Sequence, residues 1–287
     1  MNIFKTTILM ALLTGLMVAI GGAIEGSTGA MVMLVISLGM NFFSYWFSDS
    51  MVLKMYDAKE ISESDSPQLF NIVRNLAQKA ELPMPRVYII HSDVPNAFAT
   101  GRNPSHAAVA VTTGIMKALD YNEISGVLGH ELAHVKHRDI LTGTIAASMA
   151  GVISMVANIV QWGAIFGTRS SEDNGGAIGT LATIIIAPLA ASLIQMAISR
   201  SREYDADKTG GELCGNPLYL ASALEKIEYY AQRATLENST TSTAHMFIVN
   251  PLEGASVKLK NLFSTHPATE DRIAKLREQA LALQAAN

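Results

Sequence analysis

Four long uncharged stretches interrupt an otherwise polar chain. They cover residues 6–24, between Lys5 and Glu25, and 26–48, between Glu25 and Asp49; residues 140–168, between Asp139 and Arg169; and residues 174–199, between Asp173 and Arg200. A bilayer core takes about 20 apolar residues in a helix, so each stretch is long enough to cross one. The first two are expected to form a hairpin with spans near 6–24 and 29–48 and a short turn near 25–29. The second two give spans near 144–166 and 177–198. The third is rich in Ala, Ser and Gly, which suits close helix packing in lipid. The fourth tolerates Pro188 as a kink, and Trp46 and Trp162 stand near segment ends, where interfacial aromatics gather.

The intervening blocks have shorter periods. Residues 65–80 place Leu69, Ile72, Val73, Leu76 and Ala77 on one helical face. Residues 86–91 and 107–113 are β-branched and partly alternating, as strands are. Residues 217–235 and 268–283 read as helices, and 240–250 as a loop. The organisation expected is a transmembrane hairpin over 1–49, a second over 140–199, and one polar domain assembled from 50–139 and 200–287.

Charge orients this arrangement. Of 21 lysines and arginines, all but Arg169 fall on one side of a four-span layout. Lys54, Lys136, Arg138, Arg200 and Arg202 lie near span ends, where the positive-inside rule has most weight, so both termini and the polar domain are placed in the cytoplasm. Charged residues are 16% of the chain, against roughly 25% in soluble domains, and mean hydropathy is +0.25. The net charge of −4 leaves no basic surplus for nucleic acid. The single cysteine, Cys214, excludes an internal disulfide and CxxC metal or redox motifs.

The chemistry lies just before the third span, in His130-Glu131-Leu132-Ala133-His134. Asp120 and Glu123 form a capping-box pattern, and Ile124, Val127, Leu128, Leu132 and Val135 make a helical apolar stripe, so the pentapeptide is expected on a helix. His130 and His134, at i and i+4, then share a face about 6 Å apart and can grip one ion. Glu131, rotated about 100° from His130, can accept the proton of an attacking water. A catalytic zinc site needs a third protein ligand. His137 lies about 10 Å along the axis from His130, too far to join, and the metzincin pattern fails at His137 and Ile140. The acidic pair Glu203 and Asp207, again i and i+4, offers one ligand and one carboxylate to orient a ligand histidine.

His130–His134, the Glu203-Tyr-Asp-Ala-Asp207 segment after a hydrophobic hairpin, and Thr265-His266-Pro267 with Arg272 resemble the HtpX family of membrane metalloproteases, whose motif set is shared with the CAAX prenyl endopeptidases. The likeness covers nearly the whole chain. It implies a gluzincin-like α+β domain on a mainly α, four-span membrane protein, with one Zn2+ held by His130, His134 and Glu203 and supported by Asp207. It also implies that residues 96–101 form an edge strand that holds extended substrate by β-augmentation, with Asn96, Ala97 and Phe98 as its contact residues. His266 and Arg272 would be donors that stabilise an oxyanion or orient the carboxylate ligand. The biology implied is stress-related quality control in a bacterial inner membrane, acting on misfolded membrane proteins alongside other membrane proteases. An intramembrane-cleaving protease is a weaker alternative, because Glu123, Lys136, His137 and Arg138 flank the motif. A scaffold with structural zinc is weaker too, since such sites usually close with four ligands.

Overall fold

The computed structural model describes residues 2–141, 143–145, 200–231 and 267–286. Most of the second hydrophobic hairpin, the segment 240–250 and His266 lie outside these residues. Helix α1 (Asn2–Met55) doubles back at Glu25 and Gly26. Gly26 has φ 61° and ψ −142°, a conformation essentially restricted to glycine. The reversal thus falls at the start of the expected turn. Asn41 Nδ2 donates to Thr14 Oγ1 at 2.8 Å, tying the two arms together. Among the described residues, Glu25–Phe47 is the one segment long and apolar enough to cross a membrane, and it is largely uncovered by the rest of the protein. In the first arm the apolar helical segment is shorter, Met10–Ala19.

Strands β1 (Lys59–Glu60), β2 (Arg86–Ile90), β3 (Ala97–Gly101) and β4 (Ala107–Thr112) form one sheet in the order β1-β2-β4-β3. β2 and β4 run parallel, while β3 is antiparallel to β4 at the sheet's edge. Every residue of β4 is buried, as a strand covered on both faces requires. Val109 and Val111 face the larger core with Leu69, Val73 and Leu76 of α2 (Pro67–Ala80). Ala108 and Ala110 face a second core with Val52 and Leu53 from the end of α1, joined by Tyr88, Ile90 and Phe98. The end of the helical hairpin is therefore a covering layer of the sheet, and Arg86 Nη2 on Asp49 Oδ2 at 2.9 Å reinforces it.

After the short α3 (Thr113–Ala118), helix α4 (Tyr121–Lys136) starts with the expected capping box: Asp120 accepts from the Asn122 and Glu123 amides, and Glu123 accepts from the Asp120 amide. Glu123 also takes hydrogen bonds from Ser222 and Lys226, fastening α4 to α6 (Pro217–Ala231). Helix α5 (Arg200–Cys214) crosses α4 at glycine on both sides. A Cβ on Gly129 would stand 2.8 Å from the Gly210 carbonyl oxygen, and one on Gly210 only 2.6 Å from the His130 amide nitrogen. This close approach brings the acidic side chains of α5 within reach of the histidines of α4. Helix α7 (Thr269–Ala286) closes the bundle with Ile273 and Leu276 in the main core.

Candidate active site

His130 and His134 leave α4 one turn apart, with ring centroids 4.7 Å apart and planes nearly perpendicular. Their Nε2 atoms face each other at 3.2 Å. Glu203, in the first turn of α5, lies opposite: Oε2 is 3.7 Å from His130 Nε2 and Oε1 is 3.5 Å from His134 Nε2. One ligand atom from each of the three lies within 4.8 Å of the others. Ligands at about 2.0–2.2 Å from a tetrahedral zinc are about 3.3–3.6 Å from one another. Two imidazoles and a carboxylate at these separations therefore fit such an ion.

The pocket's electrostatics point the same way. Burial opposes a charge on His134, but Glu203 first, then Asp139 and Glu131, outweigh it and hold the imidazole up at about 9. Three carboxylates thus give the space between the rings a negative potential.

Each histidine has a carboxylate behind it. His130 Nδ1 is 2.9 Å from Asp207 Oδ1, within hydrogen-bonding reach though off the ideal N–H direction. Arg272 of α7 grips Asp207 with two bonds, Nε to Oδ2 at 2.8 Å and Nη2 to Oδ1 at 2.7 Å. Burial raises the Asp207 carboxyl, but Arg272 and then His130 outweigh it and hold it well below the usual carboxylate range. Behind His134, Nδ1 is 3.5 Å from Asp139 Oδ2, and Arg202 Nη1 is 3.6 Å from Asp139 Oδ1.

Glu131 points toward the sheet. Its Oε2 accepts the Ala99 amide at 2.8 Å, linking the helix to edge strand β3. Backbone pairing along an antiparallel strand alternates between its two sides. The Asn96 amide donates to Thr112 Oγ1 and its carbonyl accepts from the Thr112 amide, so Asn96 is turned to β4, and Phe98, two residues on, follows it. Of the three residues expected to hold substrate, only Ala97 turns its backbone away from β4 toward the outer edge of the sheet, and it is itself buried. The next that does is Ala99, within the expected strand but beyond the three residues expected to touch substrate.

His137 caps the end of α4 and contacts Thr209 Oγ1 at 3.3 Å, outside the ligand group. Arg272 is buried against Asp207, so its observed contact is with the carboxylate behind His130. His266 falls outside the described residues. Asp139 was missed. Its signal was faint: an acidic residue five positions after His134, just past the helix end, where it can fold back on the last turn.

Comparison with known proteins agrees with this architecture. Residues 63–280 match peptidase family M48. A protease HtpX homolog of Methylibium petroleiphilum is 57% identical over 278 residues, covering 96% of both chains. One of Desulforapulum autotrophicum is 58% identical over 279 residues, covering 96% of this chain and 89% of that one. The crystal structure of S. mikatae Ste24p shares the fold at 17% identity with a TM-score of 0.51; the match covers 96% of this chain and 65% of that one. With a His-Glu-x-x-His helix, a third carboxylate from a neighbouring helix and full-length likeness to HtpX proteases, the chain belongs to peptidase family M48 and is a metalloendopeptidase.

Proposed function

We propose that this protein is a zinc-dependent endopeptidase of a bacterial inner membrane that hydrolyses misfolded or damaged membrane proteins under stress, alongside other membrane proteases. In this reading the chain has four spans with both termini and the catalytic domain in the cytoplasm, so a label at Ser66 should report cytoplasm and one at Ser171 periplasm; a label at Ser171 reporting cytoplasm would overturn it. The observation that carries the catalytic reading is the ligand triangle of His130, His134 and Glu203 with Glu131 beside it, tied to an edge strand.

In this reading those three side chains hold one Zn2+, which when bound supplies Lewis acidity to the attacking water and the scissile carbonyl. Extended substrate lies along the outer edge of β3, pairing with Ala97 and the Ala99 carbonyl, while Asn96 and Phe98 fix the strand from its other side. Glu131 accepts the proton of the attacking water and returns it to the leaving amide nitrogen. The Ala99 amide occupies Glu131 Oε2 and leaves Oε1 to handle that proton. Asp207, backed by Arg272, keeps His130 oriented with Nε2 toward the metal. His266 is assigned as a donor to the developing oxyanion.

The test is zinc content and casein cleavage for the wild type beside Glu131→Gln. The variant is expected to keep its zinc and lose activity by several orders of magnitude. Substantial turnover with zinc still bound would overturn the assignment of Glu131.

A further inference from the structure

We infer that the site is built to cut chains close to where they leave the bilayer, with a scissile bond about six residues beyond a membrane span; this rests on the protease and membrane reading above. Two connections between α1 and the substrate strand set the distance. Tyr56 stands nine residues beyond Phe47, the end of the apolar segment, and its ring meets Phe98 with centroids 5.3 Å apart. The next residue, Ala99, holds Glu131. Nine helical residues correspond to about 13 Å along the axis. This is an upper limit on the height of Tyr56 above the end of the span, because any tilt of α1 lowers it, and Phe98 lies one ring contact from Tyr56.

The second connection lies nearer the membrane. The Arg102 guanidinium sits over the Trp46 ring, 4.8 Å from its centroid. Trp46 belongs to a run in which Phe42, Phe43, Tyr45, Trp46 and Phe47 are all exposed. Such aromatic belts mark the membrane–water boundary. Arg102 is three residues from Ala99, about 10 Å of extended strand. Both routes put the reacting centre on the order of 10–20 Å from the boundary, which about three to six residues of extended chain span. A segment emerging from the bilayer can thus enter the β3 edge without a long tether.

The experiment uses the full-length protein in phosphatidylcholine–phosphatidylglycerol liposomes with single-span test proteins. Each carries the same casein-derived cleavage sequence, its scissile bond placed 6, 24 or 48 residues past the span through Gly/Ser spacers. The bond at six residues should be cut at least as fast as that at 24, with a drop of 10-fold or more by 48, as effective concentration falls with tether length. If the bond at six residues is cut more slowly than that at 24, the inference is overturned. Soluble casein, with the wild type and Glu131→Gln, is the control. Casein cleavage that survives in the wild type and vanishes in the variant isolates a failure of this inference from a failure of the protease reading.

Discussion

His130 and His134 leave one helix a turn apart and face the same point, yet the protein supports them very differently. Behind His130 stands a dry chain: Asp207 at 2.9 Å, doubly gripped by Arg272, with all three side chains no more than 3% exposed. Behind His134 stands a looser one: Asp139 at 3.5 Å and Arg202 at 3.6 Å, with side chains 9–16% exposed. The first is formed by three helices packed into the core. The second is formed by residues at the end of α4 and the start of α5, which flank the second hydrophobic hairpin in sequence. A buried charge demands a partner, whereas one near water can share its solvation. The two histidines are therefore expected to respond unequally to loss of support.

The largest effect should come from the group common to both. Glu203→Ala removes the proposed third ligand and should leave the protein nearly metal-free after mild chelation, read by metal analysis; full zinc retention would dissolve the comparison. Next comes Arg272→Met, which strands the Asp207 carboxylate in the core. Breaking one partner of a buried pair costs about 3–5 kcal/mol, so a marked fall in thermal midpoint is expected even without zinc. Because Asp207 is held below the ordinary range, its pairing stabilises the fold above about pH 3.9 and is lost as pH falls further through the depressed value. The wild-type advantage over Arg272→Met should therefore shrink in acid.

Asp139→Ala should act more weakly. Loss of a carboxylate behind a ligand histidine typically costs about 10–100-fold in metal affinity, and the longer, wetter contact here places Asp139→Ala at the low end, with thermal stability little changed. A loss of zinc as severe as in Glu203→Ala would show that the two supports are equivalent after all. The smallest effect belongs to His137→Ala, which should leave zinc content and casein cleavage within about twofold, since its partner is Thr209. If it strips the metal, the ligand set must be rebuilt around three histidines.

Much of this was legible in the order of residues because local periodicity and capping are local physics. The i, i+4 spacing put His130 and His134 on one face, and Asp120 with Glu123 announced the start of α4. The apolar run 26–48 announced the segment Glu25–Phe47, and the i, i+4 pair Glu203 and Asp207 announced two carboxylates on one helical face toward the histidines. Pattern could not say which histidine Asp207 serves. That was decided where Gly129 and Gly210 let two helix backbones meet, aligning Asp207 with His130 and leaving His134 to Asp139. Nor could it show that Arg272 addresses Asp207, or that Ala99 rather than Phe98 turns its backbone to Glu131. These follow from sheet register and helix crossing, which join residues 32 to 65 positions apart. Sequence by itself determined which elements form and which side chains are candidates for the chemistry, because hydrogen bonds, apolar stripes and i, i+4 spacing within a few residues decide both. Tertiary structure alone decided who stands behind whom, because a buried charge is satisfied by whatever packing brings near.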